Sequence, residues 1–149
     1  MIELNQESIE EITAHAERDY PYECGGMLIG RFEEGKKTVT ETFPLENARE
    51  EEARHNRVLI LPTDVLKAER YAREKKLDVV GYYHSHPDDK AIPSQYDLDH
   101  ALPVWSYVIA SVLGGKIDDI RSWEMENDRS KFNAEEIHKS ELEKSANNH

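Results

Sequence analysis

Segments with helical and strand-like patterns alternate along this sequence, and that alternation predicts an α/β fold built around one β-sheet. Apolar residues recur with helical spacing over residues 8–18 and 62–76, and strand-like segments lie between and after them. The segment Val79–Tyr83 is apolar on both faces, which predicts a central strand covered on both sides. The 149 residues contain no repeat and no interdomain linker, so we expect one domain.

The predicted helices have recognisable ends. Ser8 and Glu11 match a capping box, so we expect the first helix to begin at Ser8. The segment Tyr20–Tyr22, with a proline at its centre, ends that helix. A second helix is predicted to follow Pro62, and a short third helix to run from Ser94 to about His100.

The predicted strands are short apolar or alternating segments bounded by turn residues. Gly114-Gly115 is a good hairpin turn between the last two of them. The six predicted strands are Met27–Phe32, Thr38–Phe43, Arg57–Leu61, Val79–His86, Val104–Leu113 and Ile117–Met125.

Two segments are too polar to belong to the core. Glu46–Asn56 has no apolar periodicity and is predicted to be an insertion on the surface. The chain from Ala134 onward is highly charged, and we expect a frayed or loosely docked helix there. We therefore divide the sequence into a domain at residues 1–133 and a charged C-terminal tail at residues 134–149.

The composition argues against several kinds of partner and location. The formal net charge is −12, from 31 acidic and 19 basic residues, so nucleic acid is not expected as the main partner. No apolar run approaches the roughly 20 residues of a membrane span. The first residues lack an apolar signal segment and the chain has one cysteine, Cys24, so we expect a cytoplasmic protein without an intramolecular disulfide. The acidic excess serves either solubility, for example in a salty cytosol, or an acidic docking face.

A histidine pair ends the predicted central strand. Side chains at i and i+2 of a strand point to the same face, so His84 and His86 can converge on one metal ion while Ser85 points to the other face. Ligand sites of open α/β sheets usually lie at the C-terminal ends of strands. An isolated pair of this kind also fits two polar residues at a strand end, so the pair alone does not establish a metal site.

Asp97 strengthens the metal hypothesis. It lies one turn into the helix that begins at Ser94, so its carboxylate can be directed back at the end of the strand. Two histidines and a carboxylate, with a fourth position left to water, are the pattern of a catalytic zinc site. Iron(II), cobalt and manganese remain alternatives for these nitrogen and oxygen ligands. Ser94 and Asp97 also match a capping box, which is compatible with a ligand at the start of a helix.

A metal site that hydrolyses amides needs a base and a group that stabilises the oxyanion. The Ser94 hydroxyl is a candidate for the second role. Glu23 is a candidate base because its neighbours are apolar or small, although spacing alone does not single it out among the glutamates. Cys24 suggests a rival cysteine nucleophile, but only the same histidines could activate it. We therefore predict that Cys24 is a small buried residue.

The whole constellation resembles the JAMM motif of the MPN (Mov34/JAB) metallopeptidase family. That motif is a distant glutamate followed by His-x-His-Pro, six residues, and Ser-x-x-Asp. Its fixed positions are present in this sequence as Glu23, His84, His86, Pro87, Ser94 and Asp97. The resemblance covers roughly residues 2–125, and the compact size is similar to that of the stand-alone prokaryotic members. It implies a cytidine-deaminase-like domain with a central mixed β-sheet flanked by helices.

The resemblance also implies a role for each residue of the motif. His84, His86 and Asp97 would bind Zn²⁺, Glu23 would activate a water molecule and protonate the leaving amine, and Ser94 would stabilise the oxyanion. Family members of this type cut after the C-terminal Gly-Gly of ubiquitin-like or sulfur-carrier proteins. Glu46–Asn56 occupies the place of a substrate-contacting insertion in the family, and an ordinary solvated loop is an equally good interpretation of it.

Three functional alternatives follow. A zinc isopeptidase acting on a ubiquitin-like or sulfur-carrier protein, as a monomer or homodimer, fits the complete motif. A non-catalytic scaffold of the same family would be expected to have a broken motif. Amidohydrolases and polymerase-type phosphoesterases also contain His-x-His, but those sites need larger barrels or more clusters of ligands. Four further histidines lack motif support and are predicted to lie on the surface: His15, His55, His100 and His138. His100, close in sequence to Asp97, is also a candidate to contact a metal ligand.

Overall fold

The structure is a computed structural model that describes residues 1–45 and 62–140. Within these residues, eight strands and three helices follow one another in the order of the chain. They are β1 (Ile2–Asn5), α1 (Gln6–Asp19), β2 (Gly25–Glu33), β3 (Lys36–Leu45), α2 (Pro62–Glu74), β4 (Asp78–Pro87), α3 (Gln95–His100), β5 (Ser106–Leu113), β6 (Lys116–Met125), β7 (Phe132–Glu135) and β8 (Ile137–Ser140).

All eight strands belong to one mixed sheet. Their order across the sheet is β7-β6-β5-β4-β2-β3-β1-β8. β4 pairs with β5 in parallel and with β2 in antiparallel orientation, so the strand that ends in the histidine pair lies at the centre of the sheet. The predicted α/β class and the central position of this strand are confirmed.

The two longer helices cover opposite faces of the sheet. Ile12 and Ala16 of α1 pack in one apolar cluster with Leu28 of β2. Ala68 and Ala72 of α2 pack in a second cluster, which contains the neighbouring β2 residues Met27 and Ile29. Successive side chains of a strand point to opposite faces, so β2 contributes to both layers of the core. The central strands are therefore buried on both sides, as the apolar run in β4 predicts.

The beginning of α1 differs from the prediction. Asn5, not Ser8, is the N-cap, and its side-chain oxygen accepts a hydrogen bond of 2.7 Å from the backbone N–H of Ser8. The predicted capping box at Ser8 and Glu11 is therefore wrong. The reason is β1, a strand of only four residues that leads directly into the helix and places the turn at Asn5.

The C-terminal segment also differs from the prediction. Residues 134–140 were expected to be helical, but they complete β7 and form β8. β7 and β8 occupy opposite ends of the strand order, yet only Glu136 separates them in sequence. The sheet must therefore curl until its two edges meet at Glu136, whose carbonyl accepts a hydrogen bond of 2.9 Å from Ile2 N–H. The division of the chain at residue 133 stays a prediction.

Two predictions fall on residues outside those that the structure describes: the surface insertion Glu46–Asn56 and the strand Arg57–Leu61. The hairpin turn at Gly114-Gly115 is confirmed, with φ of 59° and 88° at the two residues. No helix in the described ranges has the length and apolar character needed to cross a membrane.

Candidate metal centre

His84 and His86 lie side by side at the C-terminal end of β4. Both are buried, and their Nε2 atoms are 3.1 Å apart. Ser85, between them, is fully buried and accepts a hydrogen bond of 2.8 Å from Cys24 N–H through its hydroxyl oxygen. The strand therefore presents the two imidazoles together, and Ser85 holds Cys24, the residue that precedes β2.

Asp97 reaches the two histidines from the first turn of α3. Its Oδ1 atom lies 3.3 Å from His84 Nε2, and its Oδ2 atom lies 3.4 Å from His86 Nε2. The capping box predicted here is present: Asp97 N–H donates to Ser94 Oγ at 3.1 Å, and Ser94 N–H donates to Asp97 Oδ2 at 2.8 Å. The cap thus holds the carboxylate as well as the start of the helix.

The spacing of these three groups fits a metal ion. Bonds of about 2.0–2.1 Å to a tetrahedral ion place neighbouring ligand atoms about 3.3–3.4 Å apart. The two Nε2 atoms are 3.1 Å apart, and they lie 3.3 and 3.4 Å from the Oδ1 and Oδ2 atoms of Asp97, respectively. His84, His86 and Asp97 could therefore hold a metal ion, and we call them the candidate metal centre.

Neighbouring groups fix the two imidazole rings. His86 Nδ1 lies 2.8 Å from the backbone carbonyl oxygen of Lys90, which can only accept a hydrogen bond. His84 stacks on Tyr82, two residues earlier on the same face, with ring centroids 5.5 Å apart and planes inclined by 20°. His84 Nδ1 is buried and has no hydrogen-bond partner among the described residues. Both rings thus keep Nε2 directed at Asp97.

The charges of the candidate metal centre support one another. Burial opposes ionisation of Asp97, but hydrogen bonds from His84 and His86 outweigh it and hold the pKa of this carboxyl far below its ordinary value. Burial likewise opposes protonation of His86, but the Asp97 carboxylate and the Lys90 carbonyl raise its pKa. The site therefore favours an ionised carboxylate with positive charge beside it.

Glu23 lies next to this centre. Gly25 pairs with His84, and Ser85 N–H donates to Cys24 O at 3.1 Å, so the antiparallel register brings Glu23 beside the end of β4. Its negative charge contributes to the raised pKa of His86. It also raises the pKa of Tyr82, for which burial is the larger cause. Glu23 is half-buried. The structure therefore places this predicted residue near the centre.

Cys24 is a buried thiol with a raised pKa. Its exposed fraction is 1%, and burial raises the pKa of the thiol to about 12 against the opposing effect of the Ser85 hydrogen bond. A thiol with this pKa supplies almost no thiolate at neutral pH. The prediction that Cys24 is a small buried residue is confirmed.

One prediction for the remaining histidines is wrong. His15 is buried, with Nδ1 2.7 Å from Tyr83 Oη and Nε2 3.3 Å from Asp19 Oδ2. It lies on the buried face of α1, on the sheet face opposite the candidate metal centre. His138 is exposed, as predicted. His55 and the side chain of His100 are outside what the structure describes.

Two residues that contact the histidines of the site, Lys90 and Tyr82, were not predicted from the sequence. Lys90 contacts His86 through its backbone carbonyl, and a pattern of side chains cannot predict such a contact. Tyr82 could have been found, because it lies two residues before His84 and the period of a strand puts both on one face.

The family follows from a comparison with known proteins. The family model described as prokaryotic homologs of the JAB domain matches residues 5–126. The protein therefore belongs to this family of prokaryotic JAB domains. The resemblance to prokaryotic members of the MPN (Mov34/JAB) family is confirmed.

Three named proteins are similar in sequence. A desampylase of Haloferax volcanii is 31% identical over 116 residues, which cover 74% of this chain and 80% of the relative. A probable TtuB-protein conjugate cleaving protease of Thermus thermophilus is 34% identical over 101 residues, covering 68% of this chain and 64% of the relative. Tail tip assembly protein K of Escherichia phage N15 is 33% identical over 108 residues, covering 70% of this chain and 40% of the relative. This chain thus spans less than two thirds of the last two proteins.

Two solved structures share the fold. A protein from Desulfitobacterium hafniense superimposes with a TM-score of 0.81 at 30% identity, covering 94% of this chain and 93% of that one. A JAB1/MPN domain protein from Archaeoglobus fulgidus superimposes with a TM-score of 0.59 at 16% identity, covering 93% of this chain and 98% of that one. The second match concerns the fold alone. The predicted JAB/MPN domain with a mixed sheet flanked by helices is confirmed.

Proposed function

We propose that this protein is a zinc-dependent metallopeptidase that hydrolyses the amide bond after the C-terminal Gly-Gly of a ubiquitin-like or sulfur-carrier protein. The observation that carries the proposal is the convergence of two imidazole Nε2 atoms, 3.1 Å apart, with one carboxylate whose two oxygens lie 3.3 and 3.4 Å from them. Two histidines and a carboxylate leave the fourth position of a tetrahedral zinc ion for water or substrate. The family assignment supports the same reaction class.

Zinc is the proposed ion because of the donor set. Imidazole nitrogen and carboxylate oxygen suit zinc, whereas magnesium and calcium prefer oxygen ligands alone. The short distances from the two Nε2 atoms to the Asp97 oxygens are also compatible with bonds of about 2.0–2.1 Å to one ion. When bound, zinc supplies a Lewis acid that polarises the substrate carbonyl and lowers the pKa of water.

The chain's own residues then move the proton and stabilise charge. The Glu23 carboxylate accepts a proton from the attacking water and later gives it to the leaving amine, the usual work of a general acid–base group. Glu23 is suited to this role by its half-buried position beside His86, on which its charge acts.

Ser94 is the proposed donor to the oxyanion of the tetrahedral intermediate. Its hydroxyl oxygen already accepts the Asp97 N–H bond. That bond uses a lone pair of the oxygen and leaves the O–H group to donate in another direction. A donor fixed by a helix cap needs little rearrangement when charge develops, which is what oxyanion stabilisation requires.

The substrate class rests on the family resemblance and on two relatives. The Thermus relative is named for cleaving TtuB-protein conjugates, and the Haloferax relative is named a desampylase. These names support a small protein modifier as substrate of this chain as well. Glycine has no side chain, so a tail ending in Gly-Gly can bring its backbone close to the buried His84 and His86.

The experiment is a mass-spectrometric cleavage assay. Each small protein of the source organism that ends in Gly-Gly is fused to a C-terminal peptide and, separately, joined to a lysine side chain. We expect a substrate of the proposed class to be cut directly after Gly-Gly, and the matched fusion ending in Gly-Val to be cut at least tenfold more slowly. Glu23→Gln should cleave neither the Gly-Gly fusion nor the Gly-Val fusion. Equal cleavage of the Gly-Gly and Gly-Val fusions would contradict the proposed specificity, and preference for one type of linkage would separate deconjugation from precursor processing.

A further inference from the structure

The helix that carries Asp97 is held at its C-terminal end by a distant arginine. Arg129 lies between β6 and β7, in the loop at residues 126–131. One guanidinium nitrogen donates to the carbonyl oxygen of Ala101, and the other lies 3.2 Å from that of Asp99 and 3.5 Å from that of Leu98. A single side chain thus contacts three carbonyl groups at the end of α3.

These contacts matter because α3 is very short. It has six residues, and a helix of this length is not stable by itself in water. Its last carbonyl groups have no partner within the helix. A guanidinium offers several donors in a rigid plane, and a cation at this end also interacts favourably with the helix dipole. Packing of Leu98 and Ala101 in the second apolar cluster helps to hold α3. Its two ends are fixed by hydrogen bonds, at the Ser94 capping box and at Arg129.

The loop holds Arg129 in an uncommon conformation. Its φ is 64°, in the left-handed region that non-glycine residues seldom occupy. Hydrogen bonds of 2.9 Å from Arg129 N–H to Glu126 O and from Glu126 N–H to Lys131 O close the loop around it. Backbone strain of this kind is tolerated only where the surrounding structure enforces it, and it often accompanies a functional constraint.

We propose that Arg129 is a positioning residue for the candidate metal centre. By fixing the end of α3 it fixes the Asp97 carboxylate, whose oxygens lie 3.3 and 3.4 Å from the two imidazoles. Metal bonds tolerate errors of only about 0.2 Å, so a small shift of this helix would weaken metal binding. The inference rests on the proposed metal function of His84, His86 and Asp97.

The test measures zinc affinity by competition with a chromophoric chelator. Arg129→Met removes the guanidinium, and Lys131→Met removes an exposed cation from the same loop as the matched control. We expect Arg129→Met to bind zinc about tenfold more weakly, the lower end of the effect of groups that support metal ligands. Lys131→Met should bind as the wild type does. Arg129→Lys keeps the charge but loses the planar fork, and we expect it to restore part of the affinity.

A second readout needs no metal. Hydrogen exchange of the amides of residues 95–101 in the metal-free protein should be faster in Arg129→Met than in Lys131→Met. Zinc affinity of Arg129→Met equal to that of Lys131→Met would overturn the proposal. Should Arg129→Met fail to fold, Arg129→Lys decides, and unchanged affinity in it would overturn the proposal equally.

Failure of the metal function itself would look different. In that case the wild-type protein would not bind zinc, or Asp97→Ala would bind it as tightly as the wild type. Zinc binding that is lost in Asp97→Ala but unchanged in the Arg129 variants would leave the metal centre in place and remove only the role of Arg129.

Discussion

The Nδ1 atom of His86 lies 2.8 Å from the backbone carbonyl oxygen of Lys90, and this contact determines which ring nitrogen is available at the candidate metal centre. The loop that carries Lys90 is held on both sides of it: Ser111 Oγ donates to Asp89 O, and Trp123 Nε1 donates to Ala91 O. A carbonyl can only accept, so the neutral imidazole must carry its hydrogen on Nδ1. Nε2, the nitrogen directed toward Asp97 and His84, is then the atom that can exchange its proton for a metal ion.

The first prediction concerns this tautomer. Nitrogen-detected NMR of the metal-free protein at pH 8 should show His86 with hydrogen on Nδ1, and addition of zinc should change the Nε2 resonance far more than that of Nδ1. The physical reason is that the Lys90 carbonyl holds the Nδ1 hydrogen in both states. A metal-free His86 without hydrogen on Nδ1 would contradict the assigned geometry.

The second prediction separates two roles of Ser94. Ser94→Ala should lower the free energy of unfolding by about 1 kcal/mol through loss of the helix cap, whereas Ser94→Gly should cost only a few tenths, about what N-cap series show. Both variants lack the hydroxyl, so both should lose about a hundredfold in kcat if it stabilises the oxyanion. Chemical denaturation and steady-state kinetics check the two effects. Wild-type kcat in Ser94→Gly would leave the residue with its capping role alone.

The third prediction concerns Cys24. Because burial raises the pKa of its thiol to about 12, alkylation by iodoacetamide at pH 8 should be far slower in the native protein than in urea. Cys24→Ala should keep its zinc and its turnover while losing about 1 kcal/mol of stability from the small cavity. Loss of turnover with zinc retained would instead favour a cysteine nucleophile.

The fourth prediction concerns His15. Burial lowers the pKa of His15 in the folded protein. The Asp19 carboxylate opposes this shift, and the positive charge of Arg18 adds to it. In an unfolded chain the pKa of a histidine is about 6.5. The unfolded state therefore binds more protons below this pH, and the contribution of neutral His15 to stability is lost as the pH falls. The difference in free energy of unfolding between wild type and His15→Gln should narrow from pH 7 to pH 5.

Urea denaturation at each pH measures that difference. His138→Gln, which removes an exposed histidine, controls for the loss of one imidazole. A difference that widens toward pH 5 would mean that His15 gains a proton in the folded state and forms an ion pair with Asp19.

Local spacing explains what the sequence could predict of the site. The i, i+2 relation of His84 and His86 needs only a strand, and the pair Ser94 and Asp97 needs only a helix start, so both could be predicted from short segments. Glu23 was less accessible, because its place beside β4 depends on the antiparallel register of β2. The family resemblance, and not spacing, singled it out.

Other features depended on contacts between distant segments. Arg129 lies 32 positions after Asp97 in the sequence, and only the folded chain brings its guanidinium to α3. β8 was missed because four residues of a charged segment pair with β1 at the far end of the chain. His15 is a different case: it lies three residues after Ile12, on the same helical face, so helical periodicity could have predicted its burial.

The most direct measurement is the zinc content and the turnover of one pair of proteins, wild type and Glu23→Gln, on a substrate identified by the cleavage assay. Both should hold about one zinc per chain, since Glu23 is not among the three ligands. Turnover should fall by about 10²–10⁴-fold in Glu23→Gln, the range for loss of a general base. It should also vanish in the wild type after removal of zinc by a chelator and return on addition of zinc. Full turnover in Glu23→Gln, or hydrolysis by the metal-free wild type, would contradict the mechanism.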